Sequence, residues 1–190
     1  MLPTVHIRKE ALFAMIWSTF EVFKKECLGF VLGYRPTAKR NYFLVTDAIS
    51  IAGLRRRLNT EVEWTRRTKR RFQRFRELIN PMFPKHLGDF HSHPEWGDCK
   101  PLVIMSDFDI EQFIKNGYDL EFIIGISSRR KGQVFWEIQA DGSLKGSFNS
   151  FNFHFNVYAL VNDNSNLKPE RLQIVAPEAI KALNRIQLKY

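Results

Sequence analysis

Cysteine and histidine are scarce in this chain. Its 190 residues include two cysteines, Cys27 and Cys99, and five histidines. Two cysteines cannot build a disulfide framework and fit a reducing compartment, so a cytoplasmic location is expected. Long apolar runs are missing as well. The longest near the N-terminus, ALFAMIW at 11–17, falls far short of the ~20 residues that span a bilayer. It follows Arg8 and Lys9 but no small-residue cleavage site comes after it, so it reads as the buried face of a first helix and no membrane partner is expected. Repeats, low-complexity tracts and linker-like stretches are absent. With 44% hydrophobic and 26% charged residues, the expectation is one globular domain over 1–190, with 143–190 as a C-terminal strand-helix extension.

Acidic residues are outnumbered, 20 against 29 lysines and arginines, for a formal charge of +9. The imbalance is local: residues 54–79 hold ten Lys or Arg and three Asp or Glu. No nucleic-acid-binding motif accompanies the charge, so no specific nucleic acid is expected. The segment reads as the solvated side of a basic helix over 55–76, and docking of an acidic protein partner on it is the alternative.

The hydrophobic period changes repeatedly along the chain. VHI at 5–7 reads as a short strand, followed by a helix from about Arg8 to Lys25 with Leu12, Met15, Ile16, Phe20 and Phe23 on its core face. CLGFVLG within 25–34 reads as a buried strand, with NYFLVTDAISI at 41–51 as its hairpin partner. Thr60 and Glu63 have capping-box spacing ahead of a helix carrying Trp64, Thr68, Phe72, Phe75 and Ile79, which Asn80-Pro81 stops. Strands are expected at 87–93, 121–127, 133–139 and 147–157, and helices at 105–118, capped by Ser106, and from Pro177 onward. Alternating helix and strand periods imply an α/β (α+β) single domain with a mixed sheet.

One stretch carries chemistry: HSHPEWGDCKPLVIMSDFD at 91–109. On a strand, His91 and His93 point to one face, which suits two zinc ligands. Pro94 stiffens the exit. Asp109, in the first turn of the next helix, can supply a third ligand, with the Ser106 hydroxyl beside it; Asp98 and Asp107 are nearby carboxylates too. H-x-H-P arises by composition alone in roughly one shuffled chain in 200. Each part has a bland reading: a hydrogen-bonded histidine pair, a plain S-x-x-D cap, a helix-end Glu26 in solvent. Glu26 stands just before a buried apolar strand, however, where a carboxylate is costly without a task. Holding a metal-activated water and moving its proton is such a task.

Glu26 with CLGFVLG, then H-S-H-P at 91–94, then S-D-F-D at 106–109, resembles the JAMM (JAB/MPN-type) metalloprotease family. The resemblance runs over most of the chain. It implies a curved mixed β-sheet flanked by helices, related to the cytidine deaminase scaffold. It also implies Zn2+ held by His91, His93 and Asp109, Glu26 as general acid/base, and Ser106 stabilising the oxyanion. The implied activity is hydrolysis of a peptide or isopeptide bond at the C-terminus of a ubiquitin-like protein or related modifier. The chain departs from the family in the eleven residues between Pro94 and Ser106, more than the family has there; they are expected to loop out as a rim carrying Trp96 and Cys99. Other H-x-H enzymes fit less well. An amidohydrolase barrel needs ~250 residues, a metallo-β-lactamase-like site continues with D-H, and a zinc deaminase needs P-C-x-x-C. A JAMM-like scaffold that only binds partners is the competing reading.

Overall fold

A computed structural model of the chain describes residues 2–52, 54–57, 62–79, 84–128, 133–163 and 166–187. Strand β1 (Thr4–Ile7) leads into α1 (Lys9–Glu21), whose Leu12, Met15 and Ile16 are buried at helical spacing. The helix stops short of the expected Lys25, because the chain turns at residues 22–25 with Lys24 at φ +74°. The Phe23 ring packs edge-on against Phe151 instead. The apolar run becomes β2 (Leu28–Tyr34), with six of seven residues buried, antiparallel to β3 (Tyr42–Ser50) as expected.

The basic segment corrects an expectation. It is not a helix from 55. Strands β4 (Leu54–Arg57) and β5 (Val62–Trp64) pair antiparallel as a small ribbon, and the helix, α2 (Arg66–Ile79), starts at Arg66. Glu63 lies in β5, so the expected capping box does not form; the Thr65 hydroxyl accepts the Thr68 N–H at 3.0 Å in its place. Thr60 and the Asn80-Pro81 stop lie outside the described residues. Phe72 stacks on Phe30 of β2, which seats α2 on the sheet.

Next come β6 (Lys85–Pro94), α3 (Asp107–Asn116) and β7 (Leu120–Ser128). Gly117, at φ +63°, closes α3 in the left-handed conformation that glycine tolerates. Of the strand expected at 133–139 only β8 (Glu137–Ile138) forms, because side chains take up the preceding backbone: Ser147 accepts from Val134 N–H and Asn184 from Trp136 N–H. The strand expected at 147–157 is a hairpin of β9 (Leu144–Phe148) and β10 (Phe151–Asp163), turning at Asn149 with φ +53°. Then follow β11 (Asn166–Leu172), β12 (Ile174–Val175) and α4 (Pro177–Gln187).

The architecture is mixed α/β. The main sheet has ten strands in the order β12-β1-β3-β2-β6-β7-β10-β9-β8, with β11 also on β10. The pairs β12–β1, β1–β3 and β6–β7 are parallel and the remainder antiparallel. Leu172 pairs with Val157 near one end of the sheet, and Ile174, two residues on, pairs with Val5 at the other. The sheet therefore curls until its ends nearly meet. The main core joins Leu12 and Met15 of α1, Phe90, Phe122 and Phe155 of the sheet, and Leu183 of α4. Residues 144–163 and 166–187 are thus woven into the same sheet and core as the N-terminal half. The opposite sheet face carries α2 through Phe72 and α3 through Phe113. No helix among the described residues is long and apolar enough to cross a membrane.

Candidate metal centre

Strand alternation places the first two site residues. Phe90 turns into the main core, so His91 and His93 face the other side, toward α3. Parallel pairing aligns His91 with Ile123 and His93 with Gly125 of β7. Asp109 reaches the same point from the first turn of α3. Among the described residues, His91, His93 and Asp109 form the group of potential ligands able to share one ion.

The separations fit a tetrahedral ion. His91 Nε2 lies 3.1 Å from His93 Nε2 and 3.4 Å from Asp109 Oδ1; His93 Nε2 lies 3.8 Å from Asp109 Oδ2. Ligands bonded at about 2.0–2.1 Å around a tetrahedral centre stand about 3.4 Å apart. Hydrogen bonding on the far side of each ring decides what these atoms present. His93 Nδ1 donates to the Leu102 carbonyl at 2.7 Å; a carbonyl only accepts, so the neutral ring offers a bare Nε2 lone pair. His91 Nδ1 meets Glu121 Oε1 at 2.9 Å, which orients its ring in the same way. Two lone pairs and a carboxylate therefore converge on one point, which a cation satisfies.

The capping box aims Asp109. Its Oδ2 accepts from the Ser106 N–H at 2.8 Å and the Ser106 hydroxyl at 2.7 Å, while its own N–H donates back to Ser106 Oγ. Oδ1 remains turned toward His91. The cap and the ligand are one arrangement, and the hydrogen of Ser106 is given to Asp109.

Charge reinforces the geometry. Burial alone would lower the pKa of His91, but its bonds to Asp109 and Glu121 outweigh burial and raise it well above 6.5. His93 is lowered, by burial first and by the neighbouring His91 second. Burial opposes ionisation of Asp109, yet His91 and Ser106 hold its carboxyl far below the usual range. Burial pushes Glu121 up to about 7 against the pull of His91. Without a metal, a proton on His91 is what the carboxylates gather around.

Glu26 is 6% exposed and lies outside the three-ligand group. Its place follows from its neighbours. Cys27 turns to the α1 side, where its sulfur meets Thr19, and its backbone carbonyl accepts from Ser92 N–H. Leu28, the first residue of β2, pairs with His91, and Glu26 lies two residues before it, in the stretch that leads from the turn after α1 into the strand. Asp98, Asp107 and Cys99 are exposed and outside the ligand group. Glu121 is the residue sequence reasoning missed. Its signal was a lone carboxylate inside LEFIIGIS, a strand otherwise buried and apolar at 120–126.

The segment between Pro94 and Ser106 is only partly a rim. Residues 96–99 form a tight turn, Trp96 to Cys99, with Gly97 at φ +55° and the Trp96 side chain exposed. Residues 101–105 return as a strap over the sheet. Val103 and Met105 are buried, and the Leu102 carbonyl is the one that orients His93.

No protein-family profile matches this chain, and no curated protein matches it.

Proposed function

We propose that this chain is a JAMM-like zinc hydrolase that cleaves a peptide or isopeptide bond at the C-terminus of a ubiquitin-like protein. The observation that carries the reading is the convergence of His91, His93 and Asp109 on one point; Glu26, a buried carboxylate two residues before the Leu28 that pairs with His91, is the proposed base. Two imidazoles and one carboxylate are a catalytic zinc donor set, three protein ligands leaving a fourth position open. The curled mixed sheet with helices on both faces is in keeping with the JAB/MPN scaffold.

Zn2+ bound there supplies Lewis acidity, polarising the scissile carbonyl and making a water acidic enough to react near neutral pH. The chain's residues do the rest. His91 and His93, braced by Glu121 and Leu102, hold the site rigid. Glu26 takes the proton of the attacking water and returns it to the departing amine nitrogen, so one water is consumed and an acid and an amine are released. Ser106 keeps Asp109 aligned. In the tetrahedral state its hydrogen swings from Asp109 to the oxyanion, where a single donor is worth about 10²–10³ in rate.

The test is a cleavage screen over ubiquitin-like fusion proteins, with and without chelator. Chelator-sensitive release of the C-terminal partner supports the proposal; stoichiometric zinc with no cleavage of any fusion contradicts it. That second result favours a binding module. One feature supports such a module: Arg67, Arg70, Arg71 and Arg74, at i, i+3, i+4 and i+7, line one open depression on α2. An acidic surface docks there in either reading. Reversing Arg67, Arg70 and Arg74 to Glu then abolishes partner binding while leaving zinc content unchanged.

A further inference from the structure

The eleven residues between Pro94 and Ser106 place three consecutive groups between the metal centre and a distant strand. The sheet register puts His93 of β6, Gly125 of β7 and His154 of β10 side by side. The strap crosses this row directly over Gly125: a Cβ at that position would stand 3.2 Å from both Pro101 Cγ and Val103 Cγ2, tighter than ordinary contact. On the near side of the crossing, the Leu102 carbonyl accepts His93 Nδ1–H at 2.7 Å. On the far side, the next carbonyl, that of Val103, accepts from Asn156 Nδ2 at 2.6 Å and from the Tyr158 hydroxyl at 3.1 Å. The Leu102 side chain is 69% exposed, so it does not anchor the strap.

We propose that Asn156 and Tyr158 are positioning residues for the metal centre, acting through the strap on the ring orientation of His93. The inference rests on the zinc reading and names how one ligand is held. Planar peptides leave only two soft dihedrals between the Leu102 and Val103 carbonyls, so pinning the second restricts the first. Asn156 is 2% exposed, and its amide, buried on the α3 face of β10, spends a donor on this one carbonyl. Tyr158 adds a second donor to the same oxygen, more than a surface loop needs to stay in place. Groups that orient a ligand histidine from outside the coordination sphere typically change metal affinity by about 10–100-fold when removed. Asn156 and Tyr158 act one peptide farther out and reach that range together.

The experiment measures zinc affinity by chelator competition, and the visible spectrum of the Co2+-substituted protein, for wild type, Asn156→Ala, Tyr158→Phe and the double variant. The double variant is expected to bind about 10–100-fold more weakly with a shifted cobalt spectrum, and Tyr158→Phe more weakly by a smaller factor. Asn152→Ala, four residues along β10 from Asn156, is expected to match wild type. A purely structural role for these residues lowers thermal stability of the metal-free protein without moving the cobalt spectrum. Folded variants with wild-type affinity and spectrum overturn the inference while leaving the zinc reading intact. Should Asn156→Ala fail to fold, Tyr158→Phe decides, since it removes one hydroxyl and keeps the ring. Wild-type protein that binds neither ion overturns both readings.

Discussion

The Nε2 atoms of His91 and His93 stand 3.1 Å apart, and each ring's other nitrogen is already engaged, with Glu121 and with the Leu102 carbonyl. Two imidazoles held in this tautomer repel at that distance unless a proton or a metal ion lies between them. The carboxylate of Asp109, 3.4 Å from His91, adds a third acceptor. Replacing any one of the three by alanine leaves two ligands, too few for a catalytic zinc site. His91→Ala, His93→Ala and Asp109→Ala are each expected to lose zinc on desalting, as measured by elemental analysis, while remaining folded by circular dichroism. Retention of a full equivalent by any of them removes that residue from the ligand set.

On the proposed reading, Glu26 separates holding the metal from using it. Gln has the same shape and cannot take a proton. Glu26→Gln is expected to keep wild-type zinc content and lose cleavage by about 10²–10⁴-fold, the usual worth of a positioned general base. A variant that cleaves at wild-type rate shows that the proton goes elsewhere.

Glu121 predicts an effect with two opposing parts. In the metal-free protein, Asp109 and Glu121 hold the His91 pKa well above 6.5. On the zinc reading, the metal must displace that proton, so affinity is expected to rise with pH through the raised pKa and to level off above it. Glu121→Gln removes a charge that stabilises the imidazolium, so the pH at which zinc binding levels off moves down. In alkaline buffer, where no proton competes, only the loss of the orienting carboxylate remains, and affinity falls by about 10–100-fold. Chelator competition across pH reads both. An unchanged pH profile means Glu121 does not face His91 in solution.

A prediction about stability comes from the other half of the sheet. His154 sits half-buried on β10, and burial, followed by the charge of Lys145, lowers its pKa to about 4. The unfolded chain, with an ordinary histidine, binds a proton between about pH 6.5 and 4 that the folded chain refuses. Stability is therefore full above that window and declines as pH falls through it. Because the site is partly solvated, the loss is well below the full shift's worth. His154→Gln is expected to flatten the difference in urea midpoint between pH 7 and pH 5. A variant whose midpoint falls as steeply as wild type places the acid sensitivity elsewhere.

Much of the site was legible because its residues lie on two short local elements. A period-two strand aims His91 and His93, and an S-x-x-D cap aims Asp109; both are rules of neighbouring residues. What was not legible depends on pairing across the sheet. Glu121 is 30 residues from His91 in sequence, and only the parallel register of β6 and β7 brings them together. The strap shows the same limit. Its residues read as a rim, yet Val103 is buried against β10, and the hydrogen bonds responsible span 53 and 55 residues. Charge misled in 54–64: a run of arginines with a capping-box spacing suggested one long helix, where a ribbon of β4 and β5 intervenes. Helical propensity there yields to strand pairing, which no local pattern announces.

On the proposed reading, His91, His93 and Asp109 together hold one zinc ion. Anomalous diffraction at the zinc edge, from crystals grown with zinc, tests it most directly. A single strong peak is expected about 2.0–2.1 Å from His91 Nε2, His93 Nε2 and an Asp109 carboxylate oxygen. Crystals grown with excess zinc that show no peak there, or a peak held by other residues, contradict it.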